Sequence, residues 1–77
     1  MPRLTALHWK TLECIFKKNG FVLYRQEGSH RVYVKEGVFR PIVIPTYKDV
    51  DRDIILGLIR TSRMTRERFF KFLEECK

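Results

Sequence analysis

Four residues in this chain have the types and spacing to do chemistry together: Arg25, then Gly28-Ser29-His30. Histidine's unperturbed pKa lies close enough to neutrality for it to take and give protons. Glycine lets a backbone approach a ligand closely, serine supplies a donor, and arginine presents a planar cation to a phosphate. Such a set suits a phosphodiester. Arg31 is a second cation beside the histidine, and Tyr47 with Lys48 could supply a second proton-transfer or electrostatic group.

The elements around these residues are legible from periodicity. Leu12, Ile15 and Phe16 recur at helical spacing between Trp9 and Lys18, and Asn19-Gly20 predicts a left-handed stop. Three short strands are expected over residues 21–26, 30–35 and 41–44, with turns at Glu27-Gly28-Ser29 and Glu36-Gly37. Connections this short require antiparallel neighbours, hence a meander. Asp49 and Asp51 open a second helix as candidate caps, and Ile54, Ile55, Leu58 and Ile59 form its apolar stripe. Thr65 is the candidate cap of a third, whose Phe69, Phe72, Leu73 and Cys76 follow the helical rule. The predicted class is α+β in the order α-β-β-β-α-α, with a three-stranded antiparallel sheet carrying its helices on one face. Residues 1–77 are expected to form one domain.

Strand parity sets His30, Val32 and Val34 on one face and Arg31, Tyr33 and Lys35 on the other. With the valines inward, His30 reaches solvent only through a bulge or irregular entry at Gly28-Ser29, which we expect.

Sixteen Lys and Arg against nine Asp and Glu give a net charge of +7, which favours a polyanionic partner: nucleic acid, acidic headgroups or an acidic protein. No apolar run reaches the ~20 residues a membrane span needs, and no signal-peptide pattern is present, so a cytoplasmic location is expected. Cys14 and Cys76 sit on apolar helix faces near opposite ends, which reads as two buried free thiols, and neither has zinc-site spacing. Asp49, Asp51 and Asp53 do not make a calcium loop, because Ile54 and Arg60 stand where glycine and glutamate are needed. His8 reads as a helix-start residue. No metal or cofactor is expected, and Thr11, Thr61 and Ser62 lack an acid or base at a nucleophile's spacing.

In order and spacing, Asn19-Gly20-Phe21, Arg25, Gly28-Ser29-His30, Arg31 to Val34, Ile44-Pro45, Tyr47-Lys48, Leu58-Ile59-Arg60, Met64-Thr65 and Glu67 leading into Phe69 resemble the HicA-type messenger RNA interferase toxins over nearly the whole chain. The resemblance implies a fold like that of double-stranded-RNA-binding domains and a catalytic histidine at His30. It also implies a HicB-type antitoxin that covers the basic surface. Two positions depart from the pattern. Tyr47 stands where many members have a second histidine, and Asp53-Ile54 replaces a Gly-Thr pair at the second helix.

The function so implied is a metal-independent endoribonuclease that cleaves messenger RNA and blocks translation. His30 would be the acid–base group, Arg25 or Arg31 would stabilise the transition state, and Gly28 and Ser29 would position a phosphate, with Tyr47 or Lys48 as the second group. A single-stranded substrate fits exposed aromatics among cations, with Tyr24, Tyr33 and Tyr47 as candidates. The alternatives are a non-catalytic RNA-binding module of the same fold and a basic protein-interaction adaptor.

Overall fold

The structure, a computed structural model, describes residues 4–76; residues 1–3 and 77 of the expected 1–77 unit lie outside the described residues. The chain runs α1 (Trp9–Lys18), β1 (Val22–Glu27), β2 (His30–Val34), β3 (Ile42–Pro45), α2 (Arg52–Ser62) and α3 (Arg66–Cys76). The strands form an antiparallel meander in the order β1-β2-β3, as the short connections required.

α1 begins at His8, whose Nδ1 accepts a hydrogen bond from the Lys10 amide at 3.1 Å and so satisfies one of the helix's free N–H groups. It ends as the Asn-Gly pair predicts. Gly20 takes φ +99°, the Phe21 N–H reaches the Phe16 carbonyl, and the Gly20 N–H reaches that of Lys17. This two-bond closure comes with an edge-on packing of the Phe16 and Phe21 rings, which fixes the angle at which the chain enters β1.

Thr65 caps α3 through its Oγ1, which accepts from the Arg68 amide at 3.2 Å. Asp51 occupies the cap position of α2 without a side-chain cap bond, so the acids there act through charge. In α2, Ile55, Leu58 and Ile59 are buried as expected, whereas Ile54 is exposed.

α1 and α2 pack on one face of the sheet and α3 packs on α1, and the core among them holds Leu12, Ile15, Phe16, Phe21, Tyr33, Ile42, Ile44, Ile55 and Phe69. The face assignment within β2 corrects the sequence reading. Tyr33 is fully buried, and Val32 and Val34 point to the open side with exposed Val22 and Val43 across from them. His30 therefore reaches the open face by ordinary alternation, and no bulge at Gly28-Ser29 is needed. The bulge that does occur lies in β1, at Tyr24 between Leu23 and Arg25.

The physical reason is a polar network on the helix side. The Tyr33 hydroxyl donates to the Glu13 carboxylate on α1, and Arg31 Nη2 pairs with the same oxygen at 2.9 Å. Arg31 Nε lies 3.0 Å from the Tyr33 hydroxyl oxygen, Nη1 donates to Gln26 at 2.8 Å, and the guanidinium lies 5.2 Å from the Trp9 ring centroid. With partners for every polar atom, a tyrosine and an arginine can face the helices while valines face out.

The cysteines are the second correction. Cys14 and Cys76 form a disulfide, with Cα atoms 5.9 Å apart. Each lies on the apolar face of its helix, as expected, but α1 packs directly on α3, and the two faces meet. A free-thiol reading treats the helices separately and misses that meeting.

Candidate active site

β1 and β2 join through Gly28-Ser29, with Gly28 at φ +57°, a conformation glycine adopts without a Cβ penalty. Gln26 Nε2 donates to the Gly28 carbonyl at 3.0 Å and steadies the turn from one side. From the other side Thr46 donates twice to the Ser29 carbonyl, through its amide at 2.7 Å and its hydroxyl at 3.1 Å. The backbone that presents His30 is thus tied to the exit of β3, where Tyr47 and Lys48 follow. The Tyr47 carbonyl in turn accepts the Trp9 amide, which brings the start of α1 to the same end of the molecule.

His30 is the first residue of β2 and is exposed. Register pairs it with Glu27 on one side and Pro45 on the other. Directly opposed residues share a face with Cβ atoms about 5 Å apart, so Glu27 is the carboxylate nearest in register to the imidazole. Arg25, two residues before Glu27 on the same strand, binds it at 3.2 Å between Nη1 and Oε1 and lies over the Tyr24 ring. Arg25, Glu27 and His30 therefore form a solvent-exposed row along the open face: cation, carboxylate, imidazole.

Of the residues chosen from sequence, the structure brings Arg25, Gly28, Ser29 and His30 to one turn and one face. Tyr47 and Lys48, both exposed, lie at the same end of the sheet through the Thr46 link. Arg31 is the exception. It projects to the helix side, where Glu13, Tyr33, Gln26 and Trp9 hold it, with its side chain only 18% exposed. Tyr33 is likewise enclosed, leaving Tyr24 and Tyr47 as the exposed tyrosines. Glu27 escaped sequence reasoning, because its relation to His30 is a matter of cross-strand register.

The enclosed network is electrostatically set. Burial pushes the Tyr33 phenol up, with help from its bond to Glu13, to a pKa of about 12. Burial also pulls the Glu13 carboxyl upward, but the Tyr33 hydrogen bond and the charges of Arg31 and Lys17 outweigh it and leave the carboxyl below its ordinary value. Among the described residues no group of three or more His, Cys, Asp or Glu could hold a metal ion, and no helix is long and apolar enough to cross a membrane.

A small basic α+β domain with an open sheet face and a histidine presented at a hairpin turn defines the class. The family model described as the HicA toxin of bacterial toxin-antitoxin matches residues 9–64, more than half of the chain, from α1 through the end of α2. The chain belongs to the HicA toxin family, whose members are components of toxin–antitoxin systems. No curated protein matches it. α3 lies beyond the matched segment, joined to it by the disulfide.

Proposed function

We propose that this toxin is an endoribonuclease that cleaves messenger RNA, with His30 as its acid–base group. RNA carries its own nucleophile, the 2′-hydroxyl, so the reaction needs a base, a partner for the extra negative charge, and an acid for the leaving oxygen. His30 takes the 2′-hydroxyl proton, the 2′-oxygen forms a bond to phosphorus, and the bond from phosphorus to the 5′-oxygen breaks. The products are a 2′,3′-cyclic phosphate and a 5′-hydroxyl, the latter protonated by the second group, Tyr47 or Lys48. Arg25 neutralises the phosphorane, and Gly28 with Ser29 lets the phosphate approach the turn. Glu27, opposite His30 in register, is the carboxylate placed to orient the imidazole.

The observation that carries this reading is the exposed row of Arg25, Glu27 and His30 beside a glycine turn, in a chain of the toxin family. On this reading the substrate is single-stranded messenger RNA and the activity is cytoplasmic. Arg31 supports the site from beneath the sheet and does not touch the phosphate. The antitoxin is a HicB-type protein that covers the face around His30, and an acidic patch on it would complement the charge. Tyr47, in place of a second histidine, favours one other reading: an RNA-binding module that has lost catalysis.

The test incubates the protein, with a chelator present, with a single-stranded RNA and with its 2′-deoxy analogue. Cleavage of the RNA alone supports the mechanism. Binding of RNA by folded protein without cleavage favours the module.

A further inference from the structure

The end of the sheet opposite the Gly28-Ser29 turn carries a second basic surface. The loop from β2 to β3 meets the C-terminus of α2 there. Val38, Phe39, Arg40, Arg60, Thr61 and Arg63 line a groove of about 290 Å³. A second depression of about 350 Å³ shares Val38 and Arg63 with it and adds Lys35 and Arg68. Five cations thus line one continuous surface, without an acidic residue in either lining. None of the five makes an ion pair among the described residues, whereas Lys17, Lys18, Arg25 and Arg31 all do.

Two details distinguish this surface from an ordinary solvated face. Phe39 stands at its rim with 97% of its surface exposed, the most exposed large apolar side chain among the described residues. A phenylalanine so placed gains nothing from folding. Arg63 adopts a left-handed backbone, φ +59°, in a helix-ending turn closed by bonds from Met64 to Ile59 and from Arg63 to Arg60. Glycine is the usual occupant of that position, and a side chain there is strained. The chain thus keeps an arginine where its backbone would be better served by glycine.

We propose that this groove is a second RNA-binding site, which holds the single strand away from the scissile bond. Its arginines contact phosphates, and Phe39 stacks on an unpaired base. The choice of RNA as ligand rests on the ribonuclease reading above; the groove's chemistry, unpaired guanidiniums beside an exposed aromatic ring, is that of a sequence-tolerant single-strand site. The spacing fits. Five residue steps along β2, from His30 to Lys35, span about 16 Å at about 3.3 Å per step, a distance several nucleotides cover. A strand held at both ends would cross the exposed valines of the open face.

The test uses labelled single-stranded RNAs of about four and about fifteen nucleotides, the range a single-strand site occupies. Binding is measured in a His30→Ala background so that the RNA stays intact. Arg63→Gly is the first variant, since it relieves the strained backbone and folds at least as stably as its parent, checked by its melting temperature. Phe39→Ser and the triple change Arg40→Gln, Arg60→Gln, Arg63→Gly complete the set.

The longer RNA should lose about tenfold in affinity with Phe39→Ser. With the triple change, the slope of log affinity against log salt should become shallower by about 2, at about 0.7 per phosphate contact. The short RNA, which cannot reach from the turn to the groove, should lose less affinity than the long one. Unchanged affinity and salt slope for the long RNA in folded variants would overturn the proposal. So would loss of binding to a poly-glutamate peptide alone, which would assign the groove to an acidic protein. If the groove variants lose long-RNA binding while protein retaining His30 cleaves nothing, the groove stands and the ribonuclease reading fails.

Discussion

Replacing Glu13 with glutamine removes one charge from the centre of the network beneath β2. Glu13 accepts from the Tyr33 hydroxyl and pairs with Arg31, and the Glu13 and Arg31 side chains are each only 18% exposed. A hydrogen bond to a charged group is worth about 1.5–3 kcal/mol net, and removing the carboxylate leaves Arg31 partly enclosed without its counter-charge. The expected loss for Glu13→Gln is about 3 kcal/mol, a large part of the stability of a domain this size. With a urea slope near ~1 kcal/mol per molar, the midpoint should fall by about 3 M at neutral pH. The same change has a pH signature. The Glu13 carboxyl is held below its ordinary 4.5, so its contribution is fully present above that value and is lost as pH falls through the lower folded value. The gap between wild type and Glu13→Gln should therefore narrow as urea melts move from neutral pH to well below 4.5. A gap under about 0.5 kcal/mol at neutral pH, within the range of ordinary surface substitutions, would refute the reasoning. A gap that stays constant with pH would refute it too.

At the alkaline end the sign reverses. Tyr33's phenol is raised from 10 to about 12, so its contribution is fully present below pH 10 and is lost as pH rises through about 12. Wild type should lose stability in that window while Tyr33→Phe does not, and phenolate absorbance should show one late-titrating tyrosine. Reduction of the Cys14–Cys76 bond, or Cys14→Ser with Cys76→Ser, frees a link across 62 residues of sequence. By loop entropy this should cost about 4 kcal/mol, read as a lower denaturation midpoint with reductant present. Gly28→Ala forces a Cβ into φ +57°, although the space around it is open. The penalty should be only about 1–2 kcal/mol, while cleavage should drop further than this stability loss explains, because the turn carries His30.

Much of the fold was legible because the helical stripes and the Asn19-Gly20 stop act locally. The order of elements and the meander followed from connection lengths alone. The parity of β2 was not legible, since hydropathy ranks valine inside tyrosine and arginine. The outcome turned on Glu13, twenty residues from Tyr33 in sequence, which makes the inward hydroxyl and guanidinium affordable. The disulfide was hidden for a related reason: two apolar helix faces say nothing of each other until α1 and α3 pack. At the site, His30 and its Gly-Ser turn stood out as a motif. Glu27 did not, because its place opposite His30 depends on hairpin register, and the face of Arg31 was misread by the same parity that misplaced Tyr33.

The most direct test of His30 compares single-turnover RNA cleavage by wild type and His30→Ala, with folding and RNA affinity measured on the same samples. His30 is exposed and not part of the buried core, so the variant should fold and bind RNA nearly as wild type does. Its cleavage rate should fall by about 10²–10⁴-fold, the contribution of one positioned acid–base group. Cleavage at the wild-type rate by folded His30→Ala would contradict the assignment and move the chemistry to another residue.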